Sequence, residues 1–164
     1  MSMQGSPTLW REATIRDLLT IERLQSYLSA SSGDLGKALS LYKWNTRAAG
    51  AVIQTAALAE VLVRNALDRQ LAVWAAKRSD NRSWIDLVPV DLQGAHDISE
   101  ARARATRHGR TPEVHGKVVA ELSFGFWRYL TASRYLTSLW IPALAPAFPY
   151  GDINITARRL QVEK

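Results

Sequence analysis

From about Asn45 to Lys77 the chain reads as one long helix. Alanine, the strongest helix former, recurs throughout this stretch. Val52, Ala56, Ala59, Val63, Ala66 and Leu67 mark an apolar stripe at helical spacing. Small residues on that stripe permit close crossings by other helices. The rest of the sequence agrees, with no period-two strand, internal repeat or low-complexity tract. The expectation is an all-α, single helical bundle domain covering residues 1–164.

Local signals divide the remaining chain. "TIRDLLTIERLQSYLSA" carries Ile15, Leu18, Leu19 and Leu28 at helical spacing, with Thr14 as the candidate cap, and "SSGDLG" breaks it. "LGKALSLYKWN" reads as a short helix, whereas "SDNRSW" and "VPVD" read as loops. "DISE" resembles a capping box, with Asp97 at the cap and Glu100 three residues on, and Gly109 suits the end of that helix. Thr111 and Pro112 open the next helix, which contains "KVVAELSFGFWRYL". There Gly125 is expected to admit a close helix approach while Phe124, Phe126 and Trp127 fill space around it. Pro142, Pro146 and Pro149 break the chain into turns, and "INITARRLQVEK" begins a last helix.

Composition removes several classes of function. The chain has no cysteine, which excludes disulfides, cysteine zinc sites and a cysteine nucleophile. No uncharged apolar run reaches about 18 residues, so no membrane span is predicted. The N-terminus lacks the basic and apolar regions of a signal peptide, and a cytoplasmic location is expected. The net charge of +6 is concentrated: residues 101–134 carry 7 Lys/Arg against 2 Asp/Glu, while residues 1–100 carry 11 of each sign. A localised basic zone suits a polyanion such as RNA, and its alternative is a solvated helix face.

Three groups of residues could carry chemistry. Glu60, Arg64 and Asp68 stand at i, i+4 and i+8 with Asn65 beside them, so they can form a ladder of ion pairs on one helix face. Such a polar network is more often scaffold than site. Tyr42 and Trp44 of "LYKWN" can stack on a base or pack at a helix junction, with packing favoured. Arg102, Arg104, Arg107, Arg110, Lys117 and Arg128 are the RNA-binding candidates, and Arg128 can instead meet Glu60 or Asp68. His96, His108 and His115 are scattered, with no pair at metal-ligand spacing, so neither a metal nor another cofactor is expected. There is no phosphate-cradling glycine loop, and without a Gly-x-Ser-x-Gly elbow a serine hydrolase is set aside.

The ordered set "RLQSYL", "ALSLYKWN", "AEVLVRNALDRQL", "WIDL" and "GKVVAELSFGFWRYLTASRYLTSLWIPALAPAFP" resembles the Abi-like family of bacterial abortive-infection proteins, of the AbiD/AbiF type. The resemblance runs over most of the chain, and "VAELSFGFW" followed by "LW" and "FP" is its most specific part. It implies a HEPN-like fold, phage defence, association with RNA and a homodimer, with a phage or host protein as a further partner. The family's Arg-x(4–6)-His ribonuclease motif belongs on a C-terminal helix following a segment like "RRLQVEK", where this sequence ends. The C-terminal helix therefore reads as cut short, and no catalytic residue carries over. The spacings Arg102 to His108 and Arg110 to His115 fit the bare motif but lack its polar second residue and straddle a helix break. The alternative is a non-catalytic interaction module, or a remnant that pairs with an intact relative.

Overall fold

The structure, a computed structural model, describes residues 18–163. All regular elements among them are helical. The described residues gather into two compact units that divide between Ala57 and Leu58, inside the longest helix. The Thr14 cap and Ile15 lie outside the described residues.

The first unit holds α1 (Ile21–Ala30) and the beginning of α2 (Leu35–Ala76). Thr20 takes a left-handed φ of 65°, so the helix predicted to run through it starts afresh at Ile21. The turn after α1 uses Ser32 at φ 51° and Gly33 at φ 82°, and the Gly33 amide donates to the Leu28 carbonyl at 2.9 Å. Asp34 then accepts from the Lys37 amide at 3.0 Å and starts α2. The predicted short helix "LGKALSLYKWN" and the long one are continuous, because nothing between Leu35 and Ala76 disrupts the backbone ladder. Tyr42 packs edge-on against Tyr27 with centroids 5.2 Å apart, and the Asn45 side-chain amide donates to the Tyr27 hydroxyl.

The second unit holds the remainder of α2 and every later element. The α-helices among these are α3 (Trp84–Leu87), α4 (Leu92–Ala105), α5 (His115–Glu121), α6 (Phe124–Leu130) and α7 (Ile155–Glu163). Its core joins Leu67, Leu71 and Trp74 of α2 to Trp84, Phe126, Trp127 and Trp140. Trp127 lies 5.7 Å from Trp84 and 5.6 Å from Phe126, centroid to centroid. The expected α2 stripe is buried only at its C-terminal end: Leu67 is buried and Val63 partly so, whereas Val52, Ala56 and Ala59 are exposed. By length and composition alone, α2 is also apolar enough to cross a membrane.

Several predicted boundaries move. Asp97 lies inside α4, whose cap is Asp91, accepting from the Gln93 and Gly94 amides. α4 ends at Ala105, and Gly109 belongs to the turn beyond it. Thr111 caps nothing, since α5 begins at His115. The single helix expected through residues 117–130 is two. Leu122 and Ser123 are extended, and Ser123 Oγ accepts from the Phe126 amide to start α6. The break lets both Leu122 and Phe126 bury fully. Gly125 is exposed, and a Cβ there would meet only Ser123 Oγ at 3.5 Å, so it is not a close-approach glycine. That role belongs to Gly94, where a Cβ would lie 2.6 Å from Val90 Cβ and 3.1 Å from Tyr129 Cε1. Pro142 breaks nothing into a turn. It sits inside a π-helix, Leu136–Leu144, where its missing N–H favours the wider ladder. Trp140 Nε1 donates to the Ile155 carbonyl at 2.7 Å, tying α7 to that segment.

Candidate functional site

Asp68, half-buried on α2, receives two donors on one oxygen. Trp84 Nε1 donates to its Oδ1 at 2.7 Å, and His115 Nε2 lies 2.8 Å from the same atom. Asp68 is an acceptor when ionised, so Nε2 carries the proton. In the neutral imidazole the other ring nitrogen, Nδ1, is then an acceptor, and it lies 3.2 Å from Ser83 Oγ. Ser83 therefore donates its hydroxyl proton to His115, while its oxygen caps α3 by accepting from the Ile85 amide. The Trp84 ring stands edge-on to the imidazole, 6.1 Å away. Ser83, Trp84 and His115 line an open cleft of about 350 Å³ with Ala72, Ala76 and Arg82.

The expected ladder does not bond to itself. Among the described residues Glu60, Arg64 and Asp68 form no ion pair with one another, and Arg64 Nη1 instead donates to the Ala120 carbonyl at 3.3 Å. Asn65 is exposed. The extended run at Leu122 and Ser123 and the late start of α5 bring other partners to α2, which is why its polar residues reach across rather than along the helix.

The basic candidates separate into two kinds. Arg102 is paired with Asp86 and, at 3.4 Å, with Glu113; Arg104 is paired with Glu121 at 2.9 Å and Glu100 at 3.7 Å. Arg107, Arg110, Lys117 and Arg128 are exposed, and none forms an ion pair among the described residues. The turn after α4 holds Arg107, His108 and Gly109 consecutively at φ 51°, 57° and 80°. Left-handed backbone is unfavourable for the first two residues, by about 1 kcal/mol each. It is held by the His108 amide on the Ala103 carbonyl and the Gly109 amide on Thr106 Oγ1. The side chains before and after Gly109 are thereby presented to solvent. Neither Arg102 with His108 nor Arg110 with His115 forms a bond among the described residues. Arg128 bonds to neither Glu60 nor Asp68 and lines a 230 Å³ pocket with Val63, Phe124 and Trp127.

A third polar group surrounds Asp91. Arg134 Nη1 donates to its Oδ2 at 2.7 Å. Its carboxyl is held below the ordinary value chiefly by the Tyr129 hydroxyl, then by the Gly94 amide. The Tyr129 hydroxyl is pushed up, mainly by burial and then by that carboxylate. Tyr135 donates to the Tyr129 oxygen, which frees the Tyr129 proton for Asp91. No group of three His, Asp or Glu among the described residues is arranged to hold a metal.

No family profile, curated protein or solved structure matches this chain. Sequence reasoning missed Ser83, which fell in a stretch read as loop. The local signal was its place as a capping residue immediately before "WIDL". Its meeting with His115 and Asp68 joins residues far apart in the chain, a relation no local motif displays.

Proposed function

We propose that this chain is an Abi-like phage-defence protein of HEPN type, and that it associates with RNA through the turn after α4 and the start of α5. The observation that carries the RNA reading is the division among the basic residues. Arg102 and Arg104 have carboxylate partners, while Arg107, Arg110 and Lys117 have none among the described residues. Unneutralised cations on a surface turn offer a phosphate backbone its full charge, whereas paired ones must first give up a carboxylate. The Arg-x(4–6)-His chemistry of the family is no part of this proposal.

The test is a salt titration of affinity for single-stranded RNA. Affinity falls steeply with salt as phosphate contacts release counterions. Replacing Arg107 and Arg110 together by glutamate weakens binding at least about tenfold, if each contact is worth roughly 1 kcal/mol. Equal affinities and a flat salt response would remove the RNA reading.

A second reading, a protein-interaction module that includes pairing with another copy, is favoured by the exposed apolar side chains Val52, Ile53, Leu58 and Leu62. Sedimentation as a monomer at tens of micromolar concentration would count against it.

A further inference from the structure

We propose that Ser83, His115 and Asp68 form a nucleophilic triad that hydrolyses small carboxylic esters. The bonds run in the required order, from the Ser83 hydroxyl to His115 Nδ1 at 3.2 Å and from His115 Nε2 to Asp68 at 2.8 Å. The two ring nitrogens exchange the positions they hold in the familiar serine-protease triad. An imidazole accepts a proton at either nitrogen once the other is engaged, so the chemistry is unchanged. A fourth group fixes the acid, because the Trp84 indole donates to the same carboxylate oxygen. The arrangement opens onto a cleft rather than into the core. Ser83 and His115 both line it, and Ala72 and Ala76 keep it unobstructed beside them. Short side chains there leave room for a short acyl chain. Arg82, which lines the same cleft, is the cation for the developing oxyanion. One of its two terminal nitrogens holds the Asp86 carbonyl at 2.8 Å, and the other is left for substrate.

The reaction balances with water as the only co-reactant. Ser83 Oγ forms a bond to the ester carbonyl carbon as its proton passes to His115 Nδ1. The imidazolium so formed is stabilised by Asp68. The bond from carbon to the alcohol oxygen then breaks, and that oxygen takes the proton from Nδ1. Water next attacks the acyl-serine and gives a proton to Nδ1. Ser83 Oγ leaves with that proton, releasing the carboxylic acid. Ser83 and His115 are the catalytic residues, and Asp68 is a positioning residue acting through His115.

The experiment uses the full chain with 4-nitrophenyl acetate as substrate and a fluorophosphonate as covalent probe. The expected result is a single label per chain, mapped to Ser83 by peptide mass. Ser83→Asn retains a capping side chain for α3 but has no nucleophile, so it folds and takes no label. His115→Gln labels at least about 100-fold more slowly. Asp68→Asn lowers kcat with KM unchanged, a split that a merely structural role would not give. Absence of label on the wild type, a label elsewhere, or hydrolysis that persists in S83N each overturns the proposal. Each would leave the three side chains as a structural tie between elements. Should H115Q unfold, the mapped label and the S83N result still decide.

Discussion

In the C-terminal part of α2, Leu67 and Leu71 are fully buried and Trp74 is 5% exposed. In its middle, Val52 and Ile53 are each 68% exposed and Leu58 and Leu62 each 61%. The two stretches are alike in composition and share one unbroken helix. Helical periodicity therefore selects which residues can form a face, but partners in space decide whether that face is covered. The buried end is met by residues from α3, α5 and α6 and the π-helix, while no such cluster gathers about residues 52–62 among the described residues.

The sharpest way to break this contrast is a pair of truncations. Trp127 is completely buried between Trp84 and Phe126, so Trp127→Ala is expected to cost about 3–5 kcal/mol of unfolding free energy. Leu62→Ala is expected to stay within about 0.5 kcal/mol. Urea denaturation followed by circular dichroism measures both. A large cost at Leu62 would mean that the middle of α2 is covered in solution, and the difference between the two stretches would vanish.

A second pair sharpens the same lesson with glycines. Gly94→Ala drives a Cβ to 2.6 Å from Val90 Cβ, on a β-branched residue packed beneath α4, and overpacking of this kind costs about 1–3 kcal/mol. Gly125→Ala meets only Ser123 Oγ at 3.5 Å and gains helix propensity, so it is neutral or stabilising by up to about 1 kcal/mol. Thermal and urea midpoints of the two variants should move in opposite directions, or Gly125 should not move at all. A destabilised G125A would restore the close approach that the aromatic setting of this glycine suggested.

The helical character was readable because it rests on local signals: alanine content, apolar spacing and helix-breaking glycines. The boundaries that failed were those at which a local signal lost to a tertiary one. "DISE" has the spacing of a capping box, yet Asp91 caps the helix, because its carboxylate is also held by Arg134 and Tyr129 from later in the chain. Ser123 caps α6, but the apolar residues on both sides of it read as one continuous helix. The charged ladder of α2 was visible, and its use was not. Asp68 finds Trp84 and His115 only after the connections at 77–83, 88–91 and 106–114 have folded the chain back to it. The basic zone was legible as a count, while the division between paired Arg102 and Arg104 and Arg107 and Arg110, which have no ion-pair partner among the described residues, depends on tertiary contacts.

The smallest expected effect concerns acid. The ion pairs among the described residues include none on α2 between Ala38 and Leu67, whereas the second unit ties α4 to later residues through Asp91 and Arg134. The folded-state value of the Asp91 carboxyl lies below the ordinary 3.8, chiefly because the Tyr129 hydroxyl donates to it. In the acid range the unfolded chain therefore binds this proton more readily than the folded one. The stabilisation is fully present above the ordinary carboxylate range and is lost as pH falls through the folded value. Asp91→Asn keeps a capping acceptor and removes the charge, so the variant is expected to be less stable than the wild type at neutral pH. The gap should close as both are acidified. Denaturation midpoints read by tryptophan fluorescence report this directly, since Trp84, Trp127 and Trp140 all lie in the core of the second unit. A gap that is constant from neutral to acid would show that the cap, and not the charge, carries the contribution of Asp91. If acid instead first accelerated amide exchange in the middle of α2, the ionic ties of the second unit would not be what distinguishes the two stretches.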